Sequence, residues 1–237
     1  MSAPFRIGIL ECDRLSEALR ARHGSYSDMF QRLLSSTGQP LVFASFQVMD
    51  SEYPSTVNAC DAYLITGSRH SVYEDLAWVR RLQDYVVTLD SHSKKLIGIC
   101  FGHQMVARAL GGEVGRHPGG WGVGVLESSL VRSKSWMEPM RNSFSLIASH
   151  QDQVLRLPER AELLSGSAFC AHGSYQVGEH ILCFQGHPEF TVDYARERLL
   201  ARKEVIAEDT FQRALDSLAR PDDATLVARW IIKFLTR

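Results

Sequence analysis

The segment Gly98-Ile-Cys100-Phe-Gly102-His-Gln104 follows a short apolar run at residues 95–99 and precedes a stretch of helical spacing that stops at two glycines. An apolar strand that passes directly into a helix is typical of α/β proteins. Cys100 would stand on the sharp turn between the two elements, the position of a nucleophile elbow. Gly98 and Gly102 would let strand and helix approach closely, and the helix amino terminus favours a thiolate. We therefore predict a nucleophilic Cys100; the alternative is a buried cysteine at a strand end.

Apolar runs and amphipathic segments alternate through the first half of the chain. The runs that read as strands are residues 5–10, 41–46, 62–66 and 95–99, and apolar residues recur at helical spacing over 26–34 and 74–89. This order predicts parallel strands joined by crossover helices.

The second half of the chain has a different sequence pattern. Seven glycines fall between Gly111 and Gly124, but they match neither a P-loop nor a dinucleotide-binding pattern, so we expect a helix stop and a turn rather than a nucleotide site. Strand-like runs follow around residues 123–131, 144–148 and 181–185, and Asp222-Asp223 marks the start of a last helix. We expect an α/β fold with a mostly parallel open sheet flanked by helices, extra strands in the second half and a helical carboxyl terminus.

Composition limits the classes of partner. The 237 residues include 26 Lys+Arg and 27 Asp+Glu, a formal charge of −1, so we expect a small-molecule ligand and no nucleic acid. No apolar run approaches the roughly 20 residues that span a bilayer, and the amino-terminal apolar stretch is too short for a secretory signal. We expect no membrane partner, a cytoplasmic location, and one domain over residues 1–237 with its core at about 5–190 and carboxyl-terminal helices at about 191–237.

The cysteine pattern favours a reducing compartment, because the number is odd and the spacing is wide. The five are Cys12, Cys60, Cys100, Cys170 and Cys183. A zinc site could be assembled from Cys170-x-His172 and Cys183-x3-His187, but these pairs lie in apolar runs rather than on turns. We therefore expect neither a metal nor any other cofactor.

Four motifs together resemble one family. The cysteine segment, followed by Ala109-Leu-Gly-Gly112, closely resembles the nucleophile segment of class I (triad-type) glutamine amidotransferases. Gln185-Gly-His187-Pro-Glu189-Phe190 is similar to the His-x-Glu segment of that family. Leu64-Ile-Thr-Gly67-Ser68 resembles its oxyanion loop, and Ser149-His-Gln-Asp152-Gln-Val154 resembles the S-H-x-D-x-V segment of its GMP-synthetase-like branch. The resemblance covers about residues 5–190 and implies the flavodoxin-like fold of the family.

The resemblance implies that a cysteine attacks the side-chain amide of glutamine. A γ-carboxamide is a poor electrophile, so its hydrolysis needs a thiolate, a base that later protonates the leaving group, and donors for the oxyanion. We expect Cys100 as nucleophile, His187 as base and acid, and Glu189 as the group that orients the imidazole. The expected oxyanion donors are the backbone N–H groups of Gly67 and Phe101.

Other residues are expected around the substrate. The resemblance implies that Gln104 helps to hold the glutamyl moiety. We also expect Ser149, His150 and Gln151 to bind substrate, although His150 and Asp152 could instead contact a synthetase domain. The loop at residues 69–73 and the segment at 149–152 are expected beside the leaving amine.

Several polar residues are given structural roles. We expect His103 to be an exposed capping histidine at the start of a helix. We expect a basic cluster to form the solvated face of a helix rather than a partner interface. That cluster consists of Arg196, Arg198, Arg202 and Lys203. The other histidines without a partner pattern are expected in loops or at the surface; they are His70, His92, His117, His172 and His180.

Two enzymatic activities fit this pattern. About 47 residues follow Phe190, for which we expect helices and no acceptor domain. The chain is then either a free-standing enzyme that hydrolyses glutamine or a γ-glutamyl compound through a γ-glutamyl thioester, like the stand-alone relatives that include γ-glutamyl peptidases, or a glutaminase subunit that feeds ammonia to a separate synthetase. A non-catalytic binding or regulatory module on the same fold is the third hypothesis. The complete set of Cys100, His187 and Glu189 argues against it.

Overall fold

A computed structural model describes residues 4–237 and contains two β-sheets and seven α-helices within that range. The strands are β1 (Phe5–Glu11), β2 (Leu41–Gln47), β3 (Ala62–Ile65), β4 (Lys95–Ile99), β5 (Glu113–Arg116), β6 (Gly122–Leu130), β7 (Ser143–His150), β8 (Asp152–Arg156), β9 (Ala161–Gly166), β10 (Ser174–Val177) and β11 (Ile181–Phe184). The helices are α1 (Glu17–His23), α2 (Tyr26–Ser35), α3 (Ala77–Ser91), α4 (Phe101–Ala109), α5 (Val192–Leu200), α6 (Glu208–Ser217) and α7 (Ala224–Thr236).

The main sheet has nine strands in the order β2-β1-β3-β4-β11-β10-β9-β6-β7. The strands from β2 to β11 pair in parallel, and those from β10 to β7 extend the sheet with antiparallel pairs. A second sheet consists of β5 and β8. The carboxyl ends of β3, β4 and β11 therefore meet at one edge of the main sheet, and this edge positions the site described below.

Helices cover both faces of the parallel half, which explains its continuous apolar runs. Successive residues of a strand point to opposite faces, so Leu64 joins the core cluster under α2 and α7, while Tyr63 and Ile65 join the cluster under α3 and α4. Trp230 on α7 is fully buried in the first cluster. A third cluster packs α5 and α6 against β6 and β7.

The predicted fold class is confirmed in its parallel strands, its additional strands in the second half and its helical carboxyl terminus. Two helix starts differ from the prediction. Helix α3 begins at Ala77 rather than at residue 74, and α4 begins at Phe101 rather than near His103, because Cys100 itself caps that helix. Between residues 4 and 237, no helix is both long and apolar enough to cross a membrane.

Candidate active site

Cys100 occupies the turn between β4 and α4, as predicted. Its backbone has φ 51° and ψ −99°, a left-handed conformation that costs energy for any residue with a side chain. The Cys100 N–H donates to the Phe184 carbonyl oxygen at 2.9 Å, and the residue is 6% exposed. This turn conformation places the thiol at the edge of the sheet, directly before the amino terminus of α4.

The two glycines around Cys100 permit the tight strand-to-helix turn. A Cβ atom on Gly98 would stand 2.7 Å from the Gly102 carbonyl oxygen, and one on Gly102 would stand 2.4 Å from the Ile65 carbonyl oxygen. Real Cβ atoms do not approach backbone oxygens this closely. The predicted reason for glycine at both positions is confirmed.

His187 and Glu189 reach the same edge of the sheet from β11. This strand pairs in parallel with β4, with Phe184 opposite Ile99, so the residues that follow the two strands emerge side by side. The His187 N–H donates to the Ile147 carbonyl oxygen at 2.8 Å, which fixes the backbone. His187 Nδ1 donates to Glu189 Oε1 at 2.8 Å, and both side chains are buried.

The surroundings of His187 favour the imidazolium. Burial alone would lower its pKa, but the Glu189 carboxylate and the Cys100 sulfur outweigh burial and raise the pKa of His187 to about 10. The hydrogen bond from Nδ1 to Glu189 leaves Nε2 as the nitrogen for proton transfer. A cationic imidazole beside a thiol is the arrangement that activates a cysteine nucleophile.

Gly67 borders both groups. A Cβ atom on Gly67 would lie 2.9 Å from His187 Cε1 and 3.9 Å from Cys100 Cβ, so a side chain there would displace the imidazole. Phe101 is the first residue of α4, where backbone N–H groups have no acceptor within the helix. Both predicted oxyanion residues therefore adjoin Cys100.

A cavity of about 270 Å³ opens beside Cys100. The four predicted substrate residues line it together with Cys100 and Phe101; they are Gln104, Ser149, His150 and Gln151. Gln104 Nε2 donates to the Asp152 carbonyl oxygen at 2.8 Å and to Gln185 Oε1 at 3.1 Å, which fixes its orientation. His187 and Glu189 do not line the cavity and are buried next to Cys100.

His150 is also held in one state. Its Nδ1 lies 3.2 Å from the Asp152 carbonyl oxygen, which can only accept, so this nitrogen carries a proton. Burial, followed by the nearby charge of His187, lowers the pKa of His150 to about 3. A neutral His150 therefore faces the cavity over the usual pH range.

Asp152 joins the two loops that were predicted beside the leaving amine. Ser71 Oγ and Tyr73 OH both donate to its carboxylate, the tyrosine at 2.9 Å. Residues of both loops line the cavity. We call these two hydrogen bonds the Asp152 latch. It could not be predicted from the sequence, because the partners are 79 and 81 residues apart.

The expectation that Arg202 lies on a solvated helix face is wrong. Helix α5 ends at Leu200, and Arg202 turns back from the segment after it to line the cavity. Its Nη1 donates to Ser149 Oγ at 2.5 Å, and its guanidinium carbon lies 4.8 Å from the centre of the Trp121 ring. Arg196 and Lys203 are exposed, as predicted.

His103 is not the exposed cap that we expected. It is fully buried, with its ring centre 4.8 Å from that of Tyr175, because α4 packs flat on the sheet. Burial lowers the pKa of His103 to about 3, so it is a neutral core residue. His103 therefore has a structural role as predicted, but as a buried side chain packed against Tyr175 rather than as an exposed cap.

The residues of the alternative zinc site do not form a ligand set. His187 uses Nδ1 for Glu189, and Cys183 lies in β11 within the core. Across the described range 4–237, no group of three or more His, Cys, Asp or Glu side chains is arranged to hold a metal ion.

Comparisons with known proteins identify the family and the fold. The chain matches the family described as "Glutamine amidotransferase class-I" over residues 23–206. It is 35% identical to gamma-glutamyl peptidase 4 of Arabidopsis thaliana over 185 residues, which are 75% of this chain and 73% of the relative. It is 31% identical to a glutamine amidotransferase-like protein of Schizosaccharomyces pombe over 98% of both chains. The crystal structure of a glutamine amidotransferase from Thermotoga maritima has the same fold, with a TM-score of 0.76, 17% identity, and coverage of 99% of this chain and 97% of the other.

Proposed function

The chain belongs to the class-I glutamine amidotransferase family, and from this premise we propose that it hydrolyses the γ-amide bond of glutamine or of a γ-glutamyl compound and releases ammonia or an amine. The observation that carries the proposal is the meeting of Cys100, His187 and Glu189 beside an open cavity. The likeness to a gamma-glutamyl peptidase supports an amine larger than ammonia as the leaving group.

In the first half of the proposed reaction, the Cys100 thiolate attacks the γ-carbonyl carbon and forms a carbon–sulfur bond. The carbonyl electron pair moves to oxygen, and in this proposal the N–H groups of Gly67 and Phe101 donate to the resulting oxyanion. When the oxyanion collapses, the carbon–nitrogen bond breaks. The leaving nitrogen takes a proton from the His187 imidazolium, and a γ-glutamyl thioester remains.

In the second half, neutral His187 removes a proton from water, and the hydroxide adds to the thioester carbon. Collapse of this second tetrahedral species breaks the carbon–sulfur bond and restores the thiolate beside an imidazolium. Glutamate leaves as its carboxylic acid and ionises in solution. Glu189 takes no proton in this sequence; it orients the imidazole and stabilises its charge.

The proposal is tested by incubating the purified chain with glutamine, γ-glutamyl amides and γ-glutamyl peptides while ammonia, amine and glutamate are measured. We expect Cys100→Ala to lower kcat/KM by about 10³-fold or more, since a single lost triad member removes most of the catalysis. The matched control is Cys60→Ala, which changes another buried cysteine. Full activity in a folded Cys100→Ala protein would exclude the cysteine mechanism, and no turnover of any substrate by the wild type would exclude the function.

A further inference from the structure

Arg202 brings an uncompensated positive charge to the cavity. Its two contacts, with the Ser149 hydroxyl and the Trp121 ring, are to neutral groups. No ion pair found among residues 4–237 includes Arg202. A partly buried cation without a counter-ion is costly, so its environment favours binding of an anion.

The remaining charges around the cavity do not supply that anion. Arg69 is already paired with buried Asp13, at 2.7 Å between Nε and Oδ1. The Asp152 carboxylate is a negative charge in the lining, but its contacts are with the Ser71 and Tyr73 hydroxyls, and it forms no ion pair with Arg202. Arg116 adds another positive charge to the lining. Burial and the neighbouring Arg198 charge lower the pKa of Arg202, as expected for a cation that lacks a carboxylate partner.

The contact of Arg202 with Ser149 on β7 relates this arginine to the leaving amine. The backbone of His187 pairs with Ile147, and Ser149 lies two residues further along the same face of that strand. Since Ser149 holds the Arg202 guanidinium, the cation stands on the side of the cavity toward which buried His187 lies. His187 is the group that protonates the leaving nitrogen in the proposed reaction. Gln104, the residue expected to hold the glutamyl moiety, lies on a different element, α4, and its side chain donates to the Asp152 carbonyl oxygen.

We propose that Arg202 binds a carboxylate carried by the leaving amine, so that γ-glutamyl amino acids are preferred over γ-glutamyl derivatives of neutral amines. This inference rests on the proposed function. A guanidinium presents five N–H donors in a planar fork, of which one is used by Ser149, so a parallel pair remains for a carboxylate. The Trp121 ring beneath restrains the plane of the fork.

The test compares γ-glutamyl-glycine with γ-glutamyl-glycinamide, which differ in the carboxylate but share the same scissile bond. The enzymes are the wild type, Arg202→Gln, Arg202→Lys and the control Arg196→Gln, which changes an exposed arginine of α5. We expect the kcat/KM ratio of the two substrates to fall about tenfold in Arg202→Gln, mainly through a higher KM for γ-glutamyl-glycine, as for the loss of one charge-assisted hydrogen-bond pair. Comparing ratios between enzymes cancels the different leaving abilities of the two amines.

Arg202→Lys keeps the charge but loses the fork, so we expect it to retain part of the preference. If circular dichroism shows that Arg202→Gln does not fold, the substrate preference of Arg202→Lys is the test of the inference. An equal loss on both substrates would overturn the inference, because Arg202 would then act on the glutamyl half or on the fold. An unchanged ratio in both Arg202 variants would overturn it as well. Hydrolysis of glutamine with no hydrolysis of either γ-glutamyl substrate would overturn the inference but not the proposed function. Failure of the wild type to hydrolyse these two substrates and glutamine would contradict the proposed function itself.

Discussion

The imidazole of His187 lies flat on the ring of Phe190, with the ring centres 3.9 Å apart and the planes inclined by 9°. The bond to Glu189 fixes the direction of Nδ1, and this stack fixes the plane of the ring. An aromatic face also attracts a cation, so the contact adds to the preference for the imidazolium.

We expect Phe190→Leu to lower kcat by roughly 3- to 30-fold while KM changes little, because a cation–aromatic contact of about 0.5 to 2 kcal/mol is lost and the imidazole gains freedom to tilt. Steady-state kinetics on a γ-glutamyl anilide measure both constants. Phe211→Leu, a buried change on α6, is the matched control. A rise in KM with unchanged kcat would contradict the positioning role.

We expect Gly102→Ala to destabilise the fold by about 1 to 3 kcal/mol, because the new methyl group would overlap the Ile65 carbonyl oxygen and force the helix away from the sheet. Alanine is a better helix former than glycine by about 1 kcal/mol, so helix propensity alone predicts that the substitution stabilises the fold. Urea unfolding measures the difference. Arg108→Ala, at an exposed position of the same helix, should leave stability nearly unchanged.

The parallel half could be predicted from sequence because β1, β3 and β4 are buried on both faces and read as continuous apolar runs. Four short strands were missed. In β10, for example, buried Ser174 and Gln176 interrupt the apolar pattern. The Ser174 hydroxyl bonds to that of Ser165, and Gln176 Nε2 donates to the Gly178 carbonyl oxygen. Helix α1 was missed because it has no buried residue and therefore no apolar face.

The cysteine and histidine segments of the site were recognisable because each consists of residues that are neighbours in the sequence. That β11 stands next to β4 was not predictable, since the pairing depends on how the antiparallel strands fold back. Arg202 was missed because its contact with Ser149 spans 53 residues and lies beyond the end of α5, where a helical-face argument no longer applies.

We expect Asp152→Asn to raise KM for γ-glutamyl substrates by about 2- to 10-fold. Ser71 and Tyr73 donate to different carboxylate oxygens, and the amide keeps an acceptor at only one of these two positions and loses the negative charge. Hydrogen exchange should be faster over residues 68–73 in the variant. Asp84→Asn, an exposed change on α3, is the control. Unchanged exchange in that loop would show that the latch does not hold it.

We expect the isolated chain to turn over substrate steadily without a synthetase partner. Cys100 and His187 already lie together, and the cavity beside them is open, so no docking step is needed to align them. The measurement is ammonia and amine release over time, with Cys100→Ala as the blank. Recovery of a stoichiometric synthetase whose addition strongly accelerates hydrolysis would support the glutaminase-subunit alternative instead.

The pH dependence of the reaction should report the charge of His187. Its pKa is raised from an ordinary 6.5 to about 10, against burial, chiefly by the Glu189 carboxylate. The proposed reaction needs the imidazolium as proton donor, so kcat/KM should fall as pH rises through about 10. Because the folded pKa is the higher one, the same charge stabilises the fold fully below pH 6.5, and this stability is lost as pH rises toward 10.

Glu189→Gln removes the group that raises the pKa of His187 most, so the alkaline limb of kcat/KM should move to lower pH while partial activity remains. The fall in Tm between pH 6.5 and 10 should become shallower in the same variant, because less imidazolium is stabilised by folding. Glu208→Gln, an exposed change on α6, should leave both profiles as in the wild type. An alkaline limb that stays in place in Glu189→Gln would mean that a group other than His187 governs it, and the assignment of His187 as proton donor would then be wrong.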